Sequence, residues 1–164
     1  MIIRLSQKIS SKVKAGRLLD MPLDGDPILD WSTQTFAVDR IQFILISNTK
    51  SLYSCVIPGK GVTTTKHLVT RLIESVTHQL YSDSLERLVE KLKTIHFDEV
   101  QFAKSLNRSV IGSMNEQIAM ASTIMKIRNG TLLELNDELN DNLMSILGAK
   151  KGDYGIPKDA IATY

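Results

Sequence analysis

Two polar groupings in this 164-residue chain carry side chains suited to chemistry. The first is Asn107-Arg108-Ser109-Val110-Ile111-Gly112-Ser113-Met114-Asn115-Glu116, where a strand pattern hands over to a helix pattern. A helix start leaves N–H groups free and carries partial positive charge, so Arg108 with the Ser109 or Ser113 hydroxyl can hold a phosphate or carboxylate there. The plainer role for the same residues is capping: Asn107 or Ser109 closes the helix start, and Ser113 to Glu116 has capping-box spacing. The second grouping is Asp39-Arg40 with Asn48-Thr49, Ser51 and Tyr53, residue types that also form turns by bonding nearby backbone. If the two groupings meet, Arg40, Tyr53 and Arg108 line one polar pocket, with Asn48, Asn107, Ser109 and Asn115 as its neutral hydrogen-bonding wall.

Other chemistries find less support. His67, His78 and His96 lack HxH or HExxH spacing, and the Asp24, Asp26, Asp30 run lacks the glycine and terminal glutamate of a calcium loop, so no metal is expected. The phosphate-binding glycine patterns are absent, Gly59-Lys60-Gly61 being only a faint echo, and no cofactor is expected. No serine stands in GxSxG, and the lone Cys55, inside the apolar run Tyr53 to Ile57, reads as packing material in a reducing compartment. With no defensible acid–base or nucleophile set, the leading expectation is a non-enzymatic binding or regulatory module for an anionic ligand or a partner's acidic segment. A second expectation is nucleic-acid binding through the basic opening, Lys8, Lys12, Lys14 and Arg17. A third, an enzyme for a phosphorylated or carboxylated small molecule, requires Tyr53, Arg40 and Arg108 to converge.

The elements that must position these residues are legible in the hydrophobic pattern. Ile2 to Leu5 predicts a short strand, and Ser6 can cap a helical turn from Gln7 that Gly16 stops. Thr33–Val38, Ile41–Ser47 and Leu52–Ile57 are strand-like runs joined by connections short enough to demand antiparallel hairpins. The middle run, Ile41-Gln42-Phe43-Ile44-Leu45-Ile46, is apolar on both alternating faces, so both should be covered. Pro58-Gly59-Lys60-Gly61 ends the meander, its glycines permitting positive φ. Leu68, Val69, Leu72, Ile73, Val76 and Leu80 mark an amphipathic helix, and Asp83 or Ser84 can cap a second, Leu85 to Ile95. Glu99 to Ala103 predicts a further strand, and after Asn107 a long helix runs to about Arg128, closed by Asn129-Gly130. A short acidic helix, Leu133 to Leu139, and a final turn led by Pro157 follow.

The expected fold is therefore α+β: an antiparallel meander of about four to five strands packed with helices, ending in a C-terminal helical segment. At 43% apolar and 23% charged, with 20 basic against 18 acidic side chains, the chain has an ordinary globular composition and enough residues for one core, so residues 1–164 are expected as a single domain. The segment 131–164 is a candidate helical arm, and such an exposed amphipathic arm often completes a homodimer. The opening lacks the apolar h-region of a signal peptide and no stretch has membrane-spanning length, so a cytoplasmic protein without membrane partners is expected.

With those residues laid out, the chain resembles a family of small bacterial proteins classed only as a domain of unknown function. The resemblance rests on Met1-Ile2-Ile3-Arg4-Leu5-Ser6-Gln7-Lys8, on Asp39-Arg40 followed by Asn48-Thr49-Lys50-Ser51-Leu52-Tyr53-Ser54, on Asn107-Arg108-Ser109 with Gly112-Ser113-Met114-Asn115, and on Leu139-Asn140 through Pro157-Lys158-Asp159-Ala160. It spans nearly the whole chain and implies no particular activity. Lys150-Lys151 before Gly152-Asp153-Tyr154 reads as a local elaboration.

Overall fold

The computed structural model describes residues 1–164 apart from Asn129 and Lys151. It is an α+β protein built on a five-stranded mixed sheet of order β4-β3-β2-β1-β5. The strands are β1 (Ile2–Leu5), β2 (Asp30–Val38), β3 (Ile41–Asn48), β4 (Ser54–Pro58) and β5 (Gln101–Lys104). The helices are α1 (Gln7–Val13), α2 (Thr65–Ser82), α3 (Glu86–Lys93), α4 (Arg108–Ile127), α5 (Leu132–Asn140) and α6 (Pro157–Ile161).

Only β2, β3 and β4 form the expected meander, paired antiparallel in continuous register from Val38↔Ile41 to Ser47↔Ser54. The all-antiparallel expectation is corrected by β1, which lies parallel to β2 on one side and parallel to β5 on the other. The reason lies in the connections: β1 reaches β2 through α1, and β4 reaches β5 through α2 and α3. Helical crossovers return the chain in its original direction, whereas tight turns reverse it. Four strands consequently point their carboxyl ends the same way and β3 alone opposes them.

Both faces of the sheet are covered, as the two-sided apolar character of β3 requires. Ile44 and Ile46 join Trp31, Cys55, Ile57 and the stripes of α1, α2 and α3 in one core; Leu45 and Val56 join Val110, Met114, Ala121, Leu135 and Leu139 of α4 and α5 in the other. The expected arm lies on its own chain. α5 packs against β4, Ile161 of α6 is fully buried, and Lys50 sits 5.8 Å from the Tyr164 ring centroid.

Several boundaries move for local reasons. β2 starts at Asp30, and β4 starts at Ser54 because Leu52 takes a positive φ of 58°. α1 ends before Gly16, with Lys14 in the left-handed conformation. Ser6 occupies the N-cap position without a side-chain bond. Neither Asp83 nor Ser84 caps α3: Ser84 has φ 57° and Leu85 is the N-cap. Asn129, half of the expected stop of α4, and Lys151 lie outside the described residues. Only Gly61 of the glycine pair adopts positive φ; Gly59 is required by close approach, since an added Cβ would lie 2.9 Å from the Gln42 carbonyl oxygen.

Candidate functional site: the crevice beyond β1 and β5

The chain leaves β1 for one face of the sheet and β5 for the other. After Leu5 it enters α1, whose Ile9 and Val13 belong to the α2/α3 core; after Lys104 it enters α4, whose Val110 and Met114 belong to the opposite core. Because β1 and β5 are adjacent and parallel, the divergence opens a crevice beyond their carboxyl ends. In open α/β sheets this divergence is where ligands bind. A cavity of about 210 Å³ occupies the position, lined by Ser6, Gln7, Ser32, Thr33, Gln34 and Ser105 and, from α4, by Val110, Ile111 and Met114. Gln7 is shared with a second hollow of about 390 Å³ that also includes Arg17, Asp20 and Lys104, the last two joined by an ion pair of 2.6 Å.

α4 begins at this crevice because Asn107 is extended (φ −160°, ψ 173°) and its Oδ1 accepts from the Val110 N–H at 3.0 Å. The capping role is the observed one, and the cap satisfies one of the four free N–H groups while leaving those of Arg108 and Ser109 uncapped. Arg108 and Ser109 are exposed, and among the described residues Arg108 makes no ion pair. The Ser6 hydroxyl is buried at the same crevice and has no hydrogen-bond partner among the described residues.

The remaining expected residues do not converge there. Arg40 stands at the exposed tip of the β2–β3 hairpin, where Asp39 and Arg40 both have positive φ (48° and 66°), as a tight two-residue turn demands. Tyr53 is fully buried on the α2 side of the sheet and its hydroxyl donates to Asp83 at 2.5 Å. Arg108 opens a helix on the other side, so the pocket of Arg40, Tyr53 and Arg108 does not form. Asn48 is likewise buried: its Oδ1 accepts from Lys50 N, Ser51 N and Ser51 Oγ, and its Nδ2 donates to the carbonyls of Pro27 and Asp30. It organises the β3–β4 turn. Asn115 is exposed and accepts from Gln34 Nε2 at 2.7 Å. Of the basic opening, Lys8 and Lys14 are exposed, Arg17 faces the second hollow, and Lys12 donates to Gln42 Oε1 and, at 2.8 Å, to the Gly59 carbonyl.

Two buried polar arrangements escaped the sequence reading. Arg4, 1% exposed, makes a bidentate pair with Asp30 (both bonds 2.8 Å) and donates to the carbonyls of Met21, Pro22 and Lys104. A guanidinium supplies five donors in a planar fork, which is why one side chain fastens the 20–30 loop to β1 and β5. At the opposite sheet edge, Asn140 Oδ1 accepts from Ser54 N (2.7 Å), its Nδ2 donates to Ser54 O (2.9 Å), and Asn136 Oδ1 accepts from Val56 N (2.8 Å). Pro58, next outward along β4, has no N–H. The i,i+4 spacing of two asparagines on a helix beside a strand with a terminal proline was the available signal.

Burial pushes the Tyr53 hydroxyl and the Cys55 thiol well above their ordinary pKa values, with nearby Asp83 adding to both shifts. Cys55 is fully buried and, being kept protonated, is a poor nucleophile. The single cysteine thus acts as core.

A family model for a domain of unknown function, DUF6933, matches residues 2–160. The chain belongs to that family. No curated protein matches it. Nor is any helix of the described residues long and apolar enough to cross a membrane.

Proposed function

We propose that this member of the DUF6933 family is a binding module for a small oxyanion, a phosphate or carboxylate borne by a ligand or by a partner's acidic segment. The site is the crevice beyond β1 and β5. Arg108 supplies the charge, the Arg108 and Ser109 N–H groups supply the donors, and the Asn107 amide and the Ser6 and Ser105 hydroxyls complete the polar wall. The observation that carries this reading is the switch point itself, since adjacent parallel strands sending their chains to opposite faces leave a hollow that packing cannot close. The unpartnered Ser6 hydroxyl supports it, because a buried hydroxyl without a hydrogen bond costs stability that a bound oxyanion restores.

Titration with inorganic phosphate, followed by backbone amide shifts, tests the proposal. Shifts are expected at Ser6 and across Ser105–Ser109, and Arg108→Ala is expected to abolish them while leaving the urea midpoint unchanged. Equal loss of stability and binding makes Arg108 structural, and shifts confined to other segments place the anion elsewhere; either result overturns the reading.

A further inference from the structure

The whole-chain charge of +2 conceals a strongly polarised surface. Segments 8–14, 39–42 and 59–74 carry seven lysines and arginines against Asp39 and Glu74 alone, a formal +5, which leaves the rest of the chain at −3. The fold brings these segments together. The Lys12 ammonium bonds Gln42 of the hairpin and the Gly59 carbonyl, and the Gly59 N–H bonds the Gln42 carbonyl at 2.8 Å. α1, the hairpin and the β4–α2 loop therefore meet at one rim. Lys8 lies one turn before Lys12 on the same helix face, Arg40 is two residues from Gln42, and Lys60 follows Gly59. A hollow of about 510 Å³, lined by Gly61, Lys66, His67, Thr70, Arg71 and Glu74, continues the surface along α2. Apart from half-exposed Lys12, whose two bonds go to neutral acceptors, these cations are exposed, and none forms an ion pair among the described residues.

We infer that this rim is a docking surface for a nucleic-acid duplex, read through its phosphodiester backbone. Cations left without carboxylate partners around a concave surface match a phosphate ridge, whose counterions they displace. No Phe, Tyr or Trp lies in segments 8–14 or 59–74, so the stacking platform that single strands require is missing. A bilayer surface fits less well: membrane-surface helices present a broad apolar face beside their basic one, and the large apolar group exposed at this rim is Ile41, 60% accessible. The inference is independent of the crevice, which uses Arg108 on α4.

The test is fluorescence anisotropy with a labelled duplex of about 20 base pairs, long enough for about three to six phosphate contacts, beside one of its strands and vesicles of phosphatidylserine. The duplex is expected to bind most tightly, with log affinity falling against log salt at a slope of about −3 to −5. Arg40→Glu/Lys60→Glu/Lys66→Glu is expected to weaken binding at least ~100-fold and flatten the slope. Lys126→Glu, in the last turn of α4, leaves it unchanged. Should the triple variant misfold, Lys66→Gln/Arg71→Gln at the hollow is expected to lower the slope by about two. Absence of duplex binding at low salt, insensitivity to these substitutions, or tighter binding to single strand or vesicles overturns the inference.

Discussion

The β4 edge of the sheet and the carboxyl rim of the same sheet treat polar groups in opposite ways. Along β4, each outward N–H is matched: Ser54 and Val56 bond Asn140 and Asn136, and Pro58 has none to offer. Ser47, Ser54 and Gln117 extend that order inward, with Gln117 Oε1 accepting from both serines and its Nε2 donating to Leu52 O. At the rim Arg40, Lys60, Lys66 and Arg71, and at the start of α4 Arg108, project into water without ion pairs among the described residues. An unpaired strand edge is a template for pairing with another chain, and covering β4 removes that template. Exposed cations carry no comparable hazard and remain available to a ligand. The β4 edge is thus closed by side chains from α5, whereas the cations of the surfaces proposed to bind are left open to water.

The comparison breaks most visibly at Arg4. Arg4→Ala leaves Asp30 charged and buried, and is expected to cost about 3–5 kcal/mol in urea unfolding, because removing one partner of a buried pair strands the other. Arg4→Met/Asp30→Leu is expected to recover much of that loss, since an apolar pair has no charge to desolvate. Asn140→Ala or Asn136→Ala should cost about 1–3 kcal/mol by orphaning a β4 N–H, and should produce concentration-dependent association in light scattering. Substitutions at the rim sharpen the contrast from the other side: Arg40→Ala and Arg108→Ala are expected to change stability by no more than about 0.5 kcal/mol.

Smaller effects appear as pH dependence. Lys158 pairs with Asp83, whose hydrogen bond raises the lysine above its ordinary 10.5 despite partial desolvation. A raised folded pKa contributes stability that is complete below 10.5 and disappears as pH climbs through the folded value. The alkaline limb of a stability–pH curve is therefore expected to flatten in Lys158→Met. Glu134 is the mirror case: bonds from the Thr131 N–H and hydroxyl lower its pKa below 4.5, so its contribution exists above 4.5 and fades as pH falls through the lowered value. Glu134→Gln should remove that acid limb, the slightest of these changes.

Much of the element pattern was visible in the chain because it is written at short range. The 3.6-residue stripe of α2, the two-sided apolar run of β3 and the Asn107 cap each depend on neighbours within a few positions. The direction of β1 was not visible, since a four-residue strand has the same alternation whether it pairs parallel or antiparallel. The start of α4 at Asn107 was legible from its cap, but the crevice proposed as the site also takes Ser6, Gln7 and Ser105 from connections whose meeting depends on the parallel pairing of β1 with β5. Tyr53 and Asn48 misled because turn-forming and ligand-binding residues share the same chemistry, and burial alone separates them. The role of Arg4 was not legible either, because its partner Asp30 lies 26 residues away and meets it only when β1 pairs with β2.

The amino-acid sequence by itself determined the helices, the hairpins, the covering of both sheet faces and the presence of a basic N-terminal segment, because periodicity, capping and turn chemistry act within a few residues. The tertiary structure alone decided which charges are buried in pairs and which stay free, where the strand directions open a crevice, and how segments 8–14, 39–42 and 59–74 form one positive rim. Those outcomes depend on desolvation and on proximity between residues distant along the chain, and neither quantity exists until the sheet is assembled.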